Sequence, residues 1–374
     1  MVLVNNPGDW SHIYPPLRHA AWNGCTFTDW IFPFFLFIVG VSMALSIDRA
    51  RTTGVSPRTL LLKLWRRSLL IVAIGLALNF IPAFDVSTWR LPGVLQRIGL
   101  CSMIAAPAVL VWRSRGLGVL ALCLLAAYAL VMLTVPVPDV NGVVIAGALE
   151  PGRDVGAFID RRLLGGHLWS QSKTWDPEGL LSTLPAVATL LMGALTGRWL
   201  LTQRAPAVTA VWMMLAGLIS LYVGVVLDTL LMPTNKSLWT PSYVAYTGGW
   251  ALLLLAASYW LIDGCDQDWV RRRATQWLRP FEIYGVNALF VFVVSGLIAK
   301  ALATIKFTSV VTGEVATAAG AAATTVSLKA LLYGAINRGW LEPVNASLTF
   351  ALCFNALMFL LAYGLWRRRI FIKL

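Results

Sequence analysis

The stretch Arg18–Ser46 reads RHAAWNGCTFTDWIFPFFLFIVGVSMALS, and its reading decides what kind of protein this is. Its first half is polar and aromatic and carries His19, Trp22, Asn23 and Asp29. From Trp30 to Ile47 eighteen residues pass without a charge. At about 1.5 Å per residue, a helix of that length crosses most of a bilayer's hydrocarbon core. The polar half therefore stands at the mouth of a membrane span, where an imidazole is held at a fixed depth. Histidine is also the side chain best suited to trading protons or acyl groups at neutral pH.

The whole chain follows the same pattern. Of its 374 residues 58% are hydrophobic and only 13% charged, against about 25% charged in a soluble domain. The net charge of +13 comes from short basic clusters between apolar runs. That arrangement is a topology signal and argues against nucleic-acid binding. The five cysteines (Cys25, Cys101, Cys123, Cys265, Cys353) are odd in number and scattered, and the three histidines form no HExxH motif, so neither a disulfide framework nor a metal site is expected. No cleavable signal peptide is visible.

Apolar runs mark nine complete spans, near 28–47, 68–84, 93–112, 116–137, 179–197, 206–231, 238–262, 281–300 and 344–366. These runs lack a barrel's alternation, so the expected fold is all-α, a polytopic transmembrane helical bundle forming one domain over 1–374. Alternate connections hold eighteen of the thirty Lys and Arg, which makes them cytoplasmic together with the C-terminus. The other side receives 1–27, 85–92, an external loop 138–178, 232–237 and an external insertion 301–343. A tenth span over Val315–Asn337 is rejected because Lys329 interrupts it; an amphipathic helix over Val326–Asn337, lying on the membrane, is expected instead. Met1–Val4 followed by Asn5-Asn6-Pro7-Gly8 reads as the end of a first helix whose beginning lies upstream.

On this topology uncommon polar residues gather at one level: His19 and Asp29, Gln96 and Arg97 in LPGVLQRIG, Asp176 and Glu178 in DPEG, and Asn235 and Lys236. Ionisable groups at membrane depth are costly and usually line a cavity or pathway. Four segments bringing them together points to a shared pocket. Several of these residues also have a plainer reading. His19 suits an interfacial histidine, and Asp29 a helix N-cap. DPEG suits a helix start with Pro177 at its first position. Arg97 suits a packing partner of Asp29 or Glu178, and an aromatic belt explains most of the seventeen tryptophans.

The motifs HAAWNGCTFTDWIFPFFLFIVG, LPGVLQRIG, WDPEGLLSTLPA, NKSLWTPSYV, PFEIYGVNALFVF and the ending RRRIFIKL occur in one order along nearly the whole chain. Together they resemble bacterial relatives of heparan-α-glucosaminide N-acetyltransferase, a transmembrane acyltransferase family. The resemblance implies an acetyl group supplied by cytoplasmic acetyl-CoA and received by a glucosamine-type amino sugar beyond the membrane. It implies that His19 is the catalytic histidine, as acyl-accepting nucleophile or as general base. Asn5, at the end of the LVNN-like segment, matches a family asparagine and suits an oxyanion donor, with Arg97 as second candidate. Trp22, Asn23, Asp29, Gln96, Arg97, Asp176, Glu178, Asn235 and Lys236 are the expected substrate-binding residues. Arg66, Arg67 and Arg279 are the candidates for the CoA phosphates. The expected location is a bacterial inner membrane, with the lipid bilayer and a possible homodimer as partners. The alternative is a transporter of N-acetylglucosamine or a related amino sugar; neither an inverted repeat nor a matched pair of broken spans speaks for it.

Overall fold

The computed structural model describes residues 1–202, 204–309 and 324–372, which fall into two compact units. The larger unit, residues 19–277, holds α1 (Ile31–Thr52), α2 (Pro57–Phe80), α3 (Val94–Val111) and α4 (Ser114–Thr134). A short hairpin, β1 (Val137–Pro138) with β2 (Val144–Ile145), leads to α5 (Val155–Leu164). Then follow α6 (Thr183–Leu200), α7 (Pro206–Leu230), α8 (Pro241–Tyr259) and the start of α9 (Asp268–Gly285). Prolines open α2, α7 and α8, where the first helical residue needs no amide donor. Ser56 caps α2 by accepting from the Thr59 amide at 3.2 Å.

Glycine sets the closest packing. A Cβ at Gly40 of α1 would lie 2.0 Å from the Leu190 carbonyl oxygen, and one at Gly193 of α6 would lie 1.9 Å from that of Phe37. The two backbones touch through these residues, as small-residue helix packing in lipid requires. This contact fixes α1, and with it the polar loop at its N-terminus. At the far end of α1, Arg51 donates to the Leu110 carbonyl, and Arg198 donates to that of Val109 at 2.6 Å. Two of the basic connections thus meet at the C-terminus of α3, where cations suit the exposed carbonyls.

The smaller unit, residues 1–18 with the described residues from 278 to 372, holds the rest of α9, α10 (Ala288–Thr304), strands β3 (Lys306–Ser309) and β4 (Thr324–Ser327), α11 (Leu328–Ile336) and α12 (Pro343–Arg367). Within it the N-terminal segment is tied to α12, with the Gly8 amide donating to the Ser347 carbonyl at 3.2 Å and the Asp9 amide to Ser347 Oγ at 3.0 Å.

The span count differs from the sequence expectation. Six helices are long and apolar enough to cross a membrane, or seven if α9 and α10, bent by 63° at their break, form one span. Nine spans are not confirmed among the described residues. Two expected spans, α2 and α6, form helices but are not among the six. Arg58, Lys63, Arg66 and Arg67 crowd the first half of α2, and Arg198 with Thr, Gly and Pro lowers the apolar character of α6. In the insertion 301–343, residues 310–323 lie outside the described residues. The expected helix over Val326–Asn337 is shorter, because Val326 and Ser327 belong to β4 and Ser327 Oγ caps α11 by accepting from the Ala330 amide at 3.2 Å.

Candidate active site

The polar loop before α1 closes around one carboxylate. Phe27–Trp30 form a 3-10 turn whose N-cap is Thr26, so Asp29 is the third residue of a capping box and not the cap expected from sequence. Asp29 is 1% exposed. Its Oδ2 accepts from the amides of Ala20 and Thr26 and from Thr26 Oγ1, each at 3.0 Å. Its Oδ1 faces His19 Nδ1 at 2.6 Å. An ionised carboxylate only accepts hydrogen bonds, so Nδ1 carries the proton and Nε2 keeps its in-plane lone pair. The His19 side chain is 43% exposed, which leaves that lone pair within reach of a substrate.

A third group arrives from the linker between α7 and α8. Lys236 Nζ lies 3.4 Å from Asp29 Oδ1, 3.0 Å from His19 Nδ1 and 3.4 Å from Nε2. The linker is anchored by neighbours that the sequence assigned to substrate. Asn235 Nδ2 donates to Asn23 Oδ1 at 3.1 Å, the Gly24 amide donates to the Thr234 carbonyl at 2.7 Å, and Asn235 Oδ1 accepts from the Leu238 amide at 2.9 Å. Gly24 adopts φ +106, a conformation that glycine takes without strain. Trp22 donates through Nε1 to the Leu149 carbonyl at 2.8 Å and stands edge-on to Trp175. From α8, Tyr243 donates its hydroxyl to the Asp29 carbonyl at 2.6 Å. Cys25 is not a competing nucleophile, since burial pushes its thiol up to about 12 and keeps it protonated at neutral pH.

The remaining polar residues form a second cluster. Arg90, which sequence reasoning overlooked, clamps Asp176 through Nε at 2.8 Å and Nη2 at 2.6 Å, and reaches Glu178 Oε2 at 2.5 Å. Burial disfavours its charge, but the two carboxylates outweigh that and hold the guanidinium well above its usual range. DPEG is therefore a turn before α6, which begins at Thr183, and not the helix start expected. Arg97 pairs with neither Asp29 nor Glu178. It donates to the Gly179 carbonyl at 2.8 Å and to Ser182 Oγ, and lies over the Trp239 ring at 5.2 Å. Gln96 is wedged against backbone; a Cβ at Gly75 would lie 2.4 Å from its Oε1. The only sequence signal for Arg90 was a lone cation in the 85–92 connection facing two unpaired acids.

Arg66 and Arg67 are exposed on α2. Arg279 and Asn5 belong to the smaller unit, where Arg279 lies over the Trp366 ring at 4.8 Å and Asn5 is exposed, its amide donating to the Met1 carbonyl at 3.0 Å.

Comparison with known proteins meets this geometry at the same loop. Residues 10–160 match the family model described as heparan-alpha-glucosaminide N-acetyltransferase, catalytic. The human heparan-alpha-glucosaminide N-acetyltransferase is 30% identical, over 78% of this chain and 50% of its own length. The mouse protein of the same name is 29% identical over the same shares. This chain spans about half the length of the curated relatives it matches. Both relatives are named as acetyltransferases, and neither supports the transporter reading. The resemblance read from the motifs is therefore shown: the chain is similar to heparan-alpha-glucosaminide N-acetyltransferases across 78% of its length, and its His19 loop lies inside the part that matches their catalytic family model.

Proposed function

We propose that this chain is a transmembrane N-acetyltransferase that moves an acetyl group from acetyl-CoA to the amine of a glucosamine-type sugar. The observation that carries the reading is the 2.6 Å contact of a half-exposed His19 with a buried Asp29, inside the matched region. Asp29 fixes the Nδ1–H tautomer and stabilises the imidazolium that forms when Nε2 takes up a proton or an acyl group. Nε2 then acts in one of two ways: it removes the proton of the attacking amine, or it attacks the acyl carbon itself. The turn around Asp29, with three donors on Oδ2, holds the carboxylate so that it need not reorganise during the reaction.

Acetyl-CoA supplies the activated acyl group. Its phosphates call for accessible cations, a requirement that the exposed Arg66 and Arg67 meet. The positive-inside pattern favours a bacterial inner membrane with the C-terminus in the cytoplasm, the donor on that side and the sugar on the other.

The test is transfer by the purified chain from radiolabelled acetyl-CoA to glucosamine. Labelled N-acetylglucosamine from wild type, and none from His19→Ala, is the expected result. Equal transfer by both proteins would remove His19 from the chemistry. Label retained on wild type without acceptor would select the acyl-histidine route.

A further inference from the structure

We propose that Lys236 is a catalytic residue, the cation that receives the negative charge developing on the acyl oxygen at His19. The inference rests on the acyltransferase reading of the His19 site and adds a role to it. Lys236 is one of the residues expected to bind substrate, but its geometry fits a different task. With Nδ1–H donating its hydrogen bond to Asp29, Nδ1 has no in-plane lone pair to accept another, so the 3.0 Å approach of Nζ to Nδ1 is not a hydrogen bond. The ammonium is held instead by Asp29 Oδ1 at 3.4 Å, and it stands 3.4 Å from Nε2. Two long-range constraints keep it there, the Asn235–Asn23 hydrogen bond and the Gly24–Thr234 backbone bond. A lysine has three N–H donors, so pairing with Asp29 and approaching Nε2 still leaves one for a substrate oxygen. Its side chain is 23% exposed, and His19 beside it 43%, so both remain partly accessible.

This is the arrangement that acyl transfer requires. When a nucleophile bonds to the acyl carbon, the C=O π pair moves onto oxygen and that oxygen becomes an anion. If the nucleophile is the sugar amine, Nε2 holds the amine's proton, and the oxygen lies close to Nε2. If the nucleophile is Nε2, the oxygen is on the atom bonded to it. In both cases a cation 3.4 Å from Nε2 is within hydrogen-bond reach of the oxyanion. The pair then returns, the C–S bond breaks, and the departing thiolate takes the proton held on Nε2 in direct transfer or one from solvent in the acyl-histidine route. In that route the amine then attacks the acyl carbon, the C–Nε2 bond breaks, and Nε2 takes up the amine's proton.

The experiment compares wild type, Lys236→Gln, Lys236→Arg and His19→Ala with two readouts. The first needs no acetyl donor. Diethyl pyrocarbonate acylates imidazole through the same kind of oxyanion, and mass spectrometry follows the modification of His19, with His12 and His167 as internal references. The rate is taken at its high-pH plateau, so that a change in ring protonation does not enter. We expect Lys236→Gln to slow the His19 reaction about tenfold or more without affecting the two references, and Lys236→Arg to recover part of the loss. The second readout is acetyl transfer, where kcat should fall about 100-fold with little change in KM. An unchanged plateau rate at His19 in Lys236→Gln overturns the inference, and so does a loss confined to KM. If wild type transfers no acetyl group, the functional reading fails, and the plateau rates still decide the role of Lys236.

Discussion

Two acidic clusters in the larger unit are built from the same parts and end in opposite states. At the first, buried Asp29 meets His19 and Lys236; at the second, buried Asp176, with Glu178, meets Arg90. The second is closed. Arg90 spends its fork on two carboxylates, and the Asp176 side chain has no exposed surface. The first is open, because Asp29 directs one imidazole proton inward and leaves Nε2 and part of Lys236 accessible. The difference separates a clamp from a candidate reaction site: burial and charge are common to both, and an accessible lone pair on Nε2 distinguishes them.

Mutations sharpen this contrast. The largest effect is expected at His19, where Ala should lower kcat by about 10³-fold or more while stability changes by under about 1 kcal/mol, since the ring is half exposed. Asp29→Asn should follow with a loss of about 10²- to 10⁴-fold in kcat, because an amide no longer dictates the Nδ1–H tautomer. Steady-state kinetics and thermal unfolding in the same detergent check both. Arg90→Met should do the reverse. Leaving two carboxylates buried without their cation costs about 3–5 kcal/mol of stability, with activity per folded molecule within about threefold of wild type. A large kcat loss in stable Arg90→Met protein would mean that the second cluster is not a clamp.

The smallest effect concerns Asp160, on α5 beside the second cluster. It accepts from the Leu180 amide at 2.9 Å. Burial pushes its carboxyl up to about 7, with a further contribution from Asp176. The unfolded value is near 4, so the folded chain binds the extra proton between about pH 4 and 7. Stability is therefore greatest below that window, falls as pH rises through it, and levels off above about 7. Thermal unfolding should show a decline of a few degrees between pH 5 and 7.5, which Asp160→Asn flattens. Parallel slopes in the two proteins would assign the pH dependence elsewhere.

How much of this was legible in the sequence differs between the two clusters. His19, Asp29, Asn23, Asn235 and Lys236 were all singled out, because polar side chains beside apolar runs are conspicuous against a membrane's composition. Asp176, Glu178 and Arg97 were singled out by the same logic, but they fold into the closed cluster. Arg90 was passed over because a lone arginine in a connection carries no hydropathy contrast. The nine-span count was not confirmed among the described residues for a related reason. Hydropathy measures how a segment would transfer into lipid, whereas α2 and α6 are helices whose charges or small polar residues keep them out of the apolar class.

By itself the sequence determined a helical membrane protein, the polar loop with His19 at the mouth of a span, and the resemblance to an acetyltransferase family. Those features are local: each is written in consecutive residues as hydropathy, turn chemistry or motif. Only the tertiary structure decided that Lys236 reaches His19 across 217 positions while Arg90 takes both acids of DPEG. Such pairings depend on how helices rotate and approach one another, which here is set by contacts as specific as Gly40 and Gly193 against opposing carbonyls. Partners so far apart in the chain are chosen by packing, and a one-dimensional pattern of polarity does not encode which buried acid meets which cation.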